Sequence, residues 1–343
     1  MGFRYPVVDT SACVDCGLCE QVCAFKPATA GPDPRAEAIR FPSLMDGCQS
    51  GGLATAIMRK AVQEGFVVYG AAMDADFTVR HRRVTTLESL EALRLSKYVQ
   101  SDMEGIPAQV LKDLKAGGKV LFTGTPCQCA GIGSLCAPYR ERLLLADIVC
   151  HGVPAPEVWK GYLAFAALVA GAPVQEALFR DPSLGWHEHL ESLRFAGGET
   201  YTGDRYTFLF YRHLMLRPSC GSCPFASLRR PSDITMADCW GVEKVLPGFA
   251  DDNRGCSLLL ANTPAGAAFC DSFPDACERK AIDVWTVLQR NLVRPTQPNR
   301  FAKSFENDYL RKGFAYVHRH YGRDSFNYKL EQWIWAVKKR FRK

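Results

Sequence analysis

Four cysteines fall within eleven residues, Cys13-Val-Asp-Cys16-Gly-Leu-Cys19-Glu-Gln-Val-Cys23, and no other stretch restricts the chemistry of the chain so tightly. The spacing C-x2-C-x2-C-x3-C lets a short loop wrap an iron–sulfur cubane and present three thiolates to three of its irons. A zinc site prefers two separated C-x2-C knuckles, because four tetrahedral ligands do not readily come from one tight turn. Disulfides need an oxidising compartment, and no secretory pattern opens the sequence. The run therefore predicts metal binding and electron transfer. In two-cluster ferredoxins the fourth cysteine of such a run is followed by proline and serves the other cluster. Here Ala24 follows Cys23 and there is no second run. Cys13, Cys16 and Cys19 are expected ligands, and the fourth is either Cys23 or a distant cysteine such as Cys48.

The 343 residues, 47% hydrophobic, suffice for one large core with appendages. The longest apolar stretch, Leu163 to Ala170, falls far short of the roughly 20 residues that span a bilayer. A reducing cytoplasm is the expected compartment, where fifteen cysteines serve as metal ligands or small buried hydrophobes. The net charge of +6 is concentrated in Lys338, Lys339, Arg340, Arg342 and Lys343. The rest of the chain is nearly neutral, which argues against a nucleic-acid partner.

Along the chain, the cysteine loop and a Pro/Gly-rich linker (Lys26 to Pro34) occupy residues 1–35. Helices are predicted at Gly51–Gln63, Ile106–Lys115 and Ala265–Phe273. Strands are predicted at Phe66–Met73, Lys119–Thr123, Leu143–Val149 and Ser257–Ala261. Leu190–Phe195 and Glu199–Tyr201 form a hairpin around Gly197-Gly198. Strands alternating with helices imply an α/β domain with a mainly parallel or mixed sheet, whose ligands bind beyond the carboxyl ends of the strands. From Phe326 the chain is amphipathic, with Phe326, Leu330, Trp333, Ile334, Val337 and Phe341 at helical spacing and cations at the end. A docking helix whose cations complement its dipole satisfies this pattern. So does a helix touching a membrane surface or a partner, with Trp335 off the stripe.

Three loops carry chemistry. Cys127 follows one buried strand in Thr123-Gly-Thr-Pro-Cys-Gln128, Cys150 follows the next in Asp147-Ile-Val-Cys-His-Gly152, and Cys220-Gly-Ser-Cys223 forms a knuckle. Four thiolates from these loops suffice for a second four-ligand site, and zinc competes with a cluster for it. Gly51-Gly52 opening a helix offers N–H groups and a positive dipole end to a diphosphate, or is a plain turn. His187-Glu-His189 has no third metal ligand in view, so structural or substrate-pocket roles are expected.

Six ordered segments carry a resemblance: Gly47-Cys-Gln-Ser-Gly-Gly52, Ser96-Lys-Tyr-Val-Gln-Ser101, Gly124-Thr-Pro-Cys-Gln128, Cys150-His-Gly-Val-Pro154, Cys220-x2-Cys223 and Arg230-Pro-Ser-Asp-Ile-Thr-Met-Ala-Asp-Cys-Trp-Gly241. Together they resemble the coenzyme F420 hydrogenase/dehydrogenase beta-subunit family, in its bacterial branch with a fused amino-terminal ferredoxin segment. The likeness runs from Val7 to Phe273. It departs from the branch in having one cysteine run where two are frequent, and Cys48 where a small residue is common.

The resemblance implies a cytoplasmic iron–sulfur flavoprotein with FAD and two [4Fe-4S] clusters. Residues 1–35 would be the ferredoxin-like segment, 36–295 the flavin and cluster domain, and 296–343 a helical basic tail. The resemblance implies Cys127, Cys150, Cys220 and Cys223 as ligands of the family cluster, while the amino-terminal run offers Cys13, Cys16, Cys19 and Cys23, with Cys48 the alternative fourth ligand, for the other. Gln49, Ser50, Gly51, Gly52, Lys97, Tyr98, Ser101, Thr123, Gly124 and Thr125 would line the flavin. Lys97, as a cation beside the reduced ring, and His151, as a proton donor, are the catalytic candidates. Each has a plainer alternative, a solvated lysine and a structural hydrogen-bonder. The expected activity is oxidoreduction, from a ferredoxin-type donor or a partner redox subunit through the clusters and FAD to a small-molecule hydride acceptor. That acceptor would be coenzyme F420-like or a polysaccharide-pathway metabolite, and oligomer formation is compatible. An electron-relay subunit serving a separate catalytic partner is the rival from another class, and a zinc-stabilised binding protein is a further one.

Overall fold

Lys119-Val-Leu-Phe-Thr-Gly124 and Leu143-Leu-Leu-Ala-Asp-Ile148 send apolar side chains to both sides of a strand, so each must be covered on both faces. In the computed structural model, which describes residues 1–23, 25, 33–250, 252–273, 276–326, 328–330 and 332, they are neighbours at the middle of a sheet. The strands in chain order are β1 Arg35–Arg40, β2 Phe66–Met73, β3 Val79–Val84, β4 Lys119–Gly124, β5 Leu143–Ile148 and β6 Val174–Leu178. They continue as β7 Glu191–Phe195, β8 Thr200–Gly203, β9 Ile234–Asp238, β10 Ser257–Ala261 and β11 Glu278–Ala281. Eight form one sheet in the order β11-β1-β10-β9-β5-β4-β2-β3, and β6-β7-β8 form a second, antiparallel one.

The parallel character expected from the spacing resides in the centre of the large sheet, where β2, β4, β5 and β9 run side by side. Its flanks are antiparallel, β10, β1 and β11 on one side and β3 on the other. Alternate side chains meet different helices. Val68, Leu121 and Leu144 pack with the helices Leu53–Gln63 and Pro264–Asp271. Tyr69, Val120 and Leu145 pack with Ile106–Lys115 and Pro126–Leu135.

The helix expected from Gly51 starts at Leu53, because Gly52 takes a left-handed φ of 82°. A Cβ on Gly51 would stand 2.3 Å from the Ile39 carbonyl oxygen, so the loop passes directly against β1. The small sheet shares an aromatic core with Trp159 and Tyr162 of the helix Pro156–Ala170 and with Phe305 and Phe314 of the carboxyl-terminal helix Ala302–Tyr321. Among the described residues no helix is long and apolar enough to cross a membrane. Of the amphipathic stretch, Phe326 and Leu330 are exposed. Trp333, Ile334, Trp335, Val337, Phe341 and the terminal cations lie outside the described residues, as does most of the 26–34 linker.

The small sheet holds one carboxylate out of water. Glu191 is fully buried and accepts hydrogen bonds from Tyr206 N (2.9 Å), Thr207 N (3.0 Å), Thr207 Oγ1 (2.5 Å) and Tyr162 Oη (3.1 Å). Burial outweighs these donors and pushes its pKa up to about 7. A carboxyl whose folded pKa is raised supplies stability that is complete below its ordinary value and is lost as pH rises through about 7. Glu191→Gln removes that titration. The stability difference between wild type and variant, from denaturant melts, should change by on the order of 3 kcal/mol between pH 4.5 and 8. Parallel pH profiles would show that the carboxylate does not titrate in this range.

Candidate functional site

The parallel centre brings two loops to one end of the sheet. Gly124 on β4 lies opposite Asp147 on β5, so the segments after them leave side by side. Cys127 sits in the first turn of Pro126–Leu135, its Sγ 3.2 Å from Thr125 Oγ1. The chain beyond Cys150 is met by a returning segment: Ala155 N donates to Met215 O at 2.9 Å and Arg217 N to Val153 O at 2.8 Å. That pairing delivers the turn Pro218–Ser222 and Cys223.

The four thiols act on one another's charge. Burial pushes the Cys150 thiol far up, and Cys127, Cys220 and Cys223 push it further. Burial takes Cys220 up to about 11, with Cys127 and Cys223 adding to it. Cys223 is raised by burial and then by Cys127. Thiolates cannot accumulate together in such a place without a compensating positive charge, which a metal centre supplies. Among the described residues no three His, Cys, Asp or Glu side chains are arranged to hold a single metal ion.

Cys13, Cys16, Cys19 and Cys23 are all exposed. Left-handed φ values at Asp15 (50°) and Gly17 (68°) wind their loop into the short helix Leu18–Gln21. The loop is pinned on both sides. Arg4 exchanges hydrogen bonds with the Gln100 side chain at 2.9 and 3.0 Å and pairs with Asp102 at 2.9 Å. The Arg217 guanidinium lies 4.2 Å over the Tyr5 ring, and Phe25 meets Phe225 edge to face at 5.8 Å. Arg217 and Phe225 bracket Cys220 and Cys223, so the amino-terminal run is held on the knuckle. Cys48 is tied elsewhere, its Sγ 2.8 Å from Leu44 O and 3.4 Å from Arg94 Nη2.

The 47–53 loop and the 94–101 turn are laced together. Ser96 N donates to Gln49 Oε1 at 3.1 Å, while Gln49 Nε2 is buried without a hydrogen-bond partner. Arg94 binds Glu91 (2.6 Å) and the Asp46 carbonyl (3.1 Å), and its buried Nε also has no partner. Beside them the helix Leu53–Gln63 starts with no side-chain cap. Two orphan donors and a bare helix start form a cradle for an anion. Ser50 Oγ is engaged, donating to Cys256 O at 2.9 Å. Gln128 joins two further predicted residues, Nε2 to Ser101 Oγ (2.9 Å) and Oε1 to Thr125 N (2.9 Å). Thr123 Oγ1 donates to Tyr69 O at 3.1 Å.

Lys97 turns its amine inward, donating to Arg94 O at 2.5 Å, and burial lowers its pKa to about 7. Tyr98 stacks on Phe210 at 4.9 Å, within the aromatic core of the small sheet. His151 lies against Phe210, Tyr211 and His213, its Nε2 is buried without a partner, and burial lowers its pKa to about 4. His187 and His189 do not combine: His187 pairs with Glu243 at 3.2 Å and His189 Nδ1 meets Tyr211 Oη at 2.8 Å.

Two residues escaped the sequence reading. Arg94 carried no motif signal beyond its place beside Ser96-Lys97. His81 was hidden in the cation-rich strand Val79-Arg-His-Arg-Arg-Val84. It stacks on Phe122 at 5.2 Å, bonds Thr123 O through Nε2 at 3.1 Å, and is driven down to about 4 by burial, with Lys97 adding to the shift.

Residues 117–284 match the family model for the C terminus of the coenzyme F420 hydrogenase/dehydrogenase beta subunit. No curated protein matches the chain. Among solved structures the fold is similar to a chain of the F420-reducing [NiFe] hydrogenase complex from Methanosarcina barkeri. The TM-score is 0.51 at 16% identity, over 82% of this chain and 94% of that one. Cys127, Cys150, Cys220 and Cys223 all lie within the matched span, and the shared fold extends well beyond it. The match over residues 117–284 and the shared fold support kinship with the coenzyme F420 hydrogenase/dehydrogenase beta-subunit family.

Proposed function

We propose that the protein is an iron–sulfur flavoprotein oxidoreductase of the cytoplasm. It takes electrons from a ferredoxin-type donor or a partner redox subunit and passes them through two [4Fe-4S] clusters and FAD to an organic hydride acceptor. The acceptor is coenzyme F420-like or a metabolite of polysaccharide synthesis. Residues 1–35 form the donor side, 36–295 the flavin and cluster body, and the carboxyl-terminal part a docking region suited to a partner or a membrane surface. Cys23 serves as fourth ligand of the outer cluster, since Cys48 is held by Leu44 and Arg94.

What carries this reading is the convergence of the loops bearing Cys127, Cys150, Cys220 and Cys223, close enough to act on one another's charge, with the amino-terminal segment pinned to the knuckle through Tyr5–Arg217 and Phe25–Phe225. The residues around the 47–53 loop fit a flavin diphosphate: Gln49 Nε2 and Arg94 Nε are buried donors in want of an acceptor. When bound, FAD couples single-electron steps to hydride transfer. The chain's part is to hold it through Gln49, Arg94 and the start of Leu53–Gln63, and to keep a proton on Lys97 Nζ near neutral pH. The likeness to one chain of a hydrogenase complex favours, as a second reading, an electron-relay subunit that serves a separate catalytic partner. Turnover of a small acceptor by the isolated chain decides against it.

Anaerobic purification followed by iron, sulfide, zinc and flavin assays should give about eight irons per chain with bound flavin. Cys16→Ser and Cys220→Ser should each remove about four of them. Zinc without iron or flavin would overturn the proposal.

Arg94→Ala should weaken FAD binding at least about tenfold, as expected for losing a charged hydrogen-bond donor, read by flavin released on dilution. Undiminished retention would remove the cradle from the flavin site.

The ammonium form of Lys97 is the active one in this reading, so acceptor reduction should fall as pH rises through about 7. Lys97→Met should lower the plateau and flatten that limb of the pH–rate profile. A variant that keeps the inflection would assign it to another group.

A further inference from the structure

The cation of Arg230 is taken out of water. The Arg230 side chain is 1% exposed, and its partner Asp147 is 0% exposed. Burying a guanidinium is costly unless each of its donors is satisfied, and here all three nitrogens are. Nη2 donates to Asp147 Oδ1 (2.9 Å) and to the Ile148 carbonyl (2.9 Å). Nη1 donates to the Phe225 carbonyl (2.7 Å) and, more weakly, to that of Ser227 (3.4 Å), and Nε to Thr235 Oγ1 (3.2 Å).

The acceptors are telling in their positions. Ile148 stands two residues before Cys150, and Phe225 two residues after Cys223. A single planar fork thus ties the strand end that carries one thiol to the knuckle that carries another, and Thr235 anchors the fork to β9. The guanidinium also acts electrostatically on the Cys223 thiol, favouring its ionised form.

The geometry points to Arg230 as the positioning residue of the four-cysteine site, setting the spacing of Cys150 and Cys223 and the reduction potential of the cluster they hold. The inference rests on the iron–sulfur reading above. Four thiolates around a cubane carry negative charge that grows when an electron is added. A fixed buried cation favours the reduced state, and the Asp147 carboxylate offsets part of that effect. Lysine cannot replace the fork, because one ammonium does not span two carbonyls and a carboxylate with the same geometry.

The test is a redox titration of the anaerobically purified full chain, followed by electron paramagnetic resonance. The amino-terminal cluster provides a reference in the same sample, and iron content is measured in parallel. Arg230→Met should shift the potential of the inner cluster to more negative values. Asp147→Asn, which keeps every hydrogen bond accepted at Oδ1, should shift it to more positive values. Arg230→Lys should hold the potential nearest to wild type while losing iron several-fold faster to a chelator. Should Arg230→Met fail to fold, Asp147→Asn alone carries the electrostatic arm and Arg230→Lys the positional one. Unmoved potentials in a chain that still binds iron at this site would reduce Arg230 to a structural salt bridge and overturn the inference. A wild-type chain with no iron there would instead overturn the iron–sulfur reading, and this inference with it.

Discussion

The parallel pairing of β4 with β5 is the constraint on which the rest depends. Because the strands run the same way, their ends open at one edge of the sheet, and Cys127 and Cys150 leave from neighbouring positions. An antiparallel pairing would put them at opposite edges. Parallel strands need a crossover, and Pro126–Leu135 supplies it. The helix that returns the chain to β5 therefore begins with the residues that carry Cys127. The knuckle is then brought in by backbone pairing of 153–155 with 215–217. Three segments distant in sequence converge through main-chain geometry alone, and side chains such as Arg230 adjust the fit.

Much of this order could be read before any coordinates. Phe66–Met73 and Ser257–Ala261 are strands with the expected boundaries, and Ile106–Lys115 is the expected helix, because their residues are apolar at positions that both faces bury. β1 and β3 were not legible. Arg35-Ala-Glu-Ala-Ile-Arg40 and Val79-Arg-His-Arg-Arg-Val84 look like polar linkers until their partners are known. Glu37 is paired with Arg279, Arg82 with Asp74 (2.6 Å) and Arg83 with Asp113 (2.8 Å). A strand whose charges are neutralised by residues outside it has no signature of its own, since hydrophobic periodicity sees only its own side chains.

The candidate site divides along the same line. Cysteine spacing and ordered motifs point to the thiols, because a ligand's identity is its chemistry. Arg94 and His81 acquire their character from place. Arg94 matters for a buried nitrogen left without an acceptor, and His81 for an imidazole held neutral between Phe122 and the Thr123 carbonyl. Several of the expected flavin contacts, among them Thr123, Ser101 and Ser50, use their hydroxyls to brace loops. Their part in the proposed site is to shape it, while Gln49 and Arg94 keep donors in reserve.

The two cysteine sets sit in opposite environments, and that contrast gives the proposed path its direction of access. All four cysteines of the amino-terminal run are exposed, so a donor can approach them without any rearrangement of the fold. The inner four are partly withdrawn from water, and burial together with the neighbouring thiols pushes the Cys150 thiol well up. A reduced inner centre would meet the same resistance, because low dielectric penalises any uncompensated charge. The buried guanidinium of Arg230 is the compensation within reach, and its hydrogen bonds hold it between the loops that carry Cys150 and Cys223. Exposure at the entry and a fixed cation at the interior stage are two solutions to one electrostatic problem. The first lets water screen the charge, and the second replaces that water with a preorganised side chain.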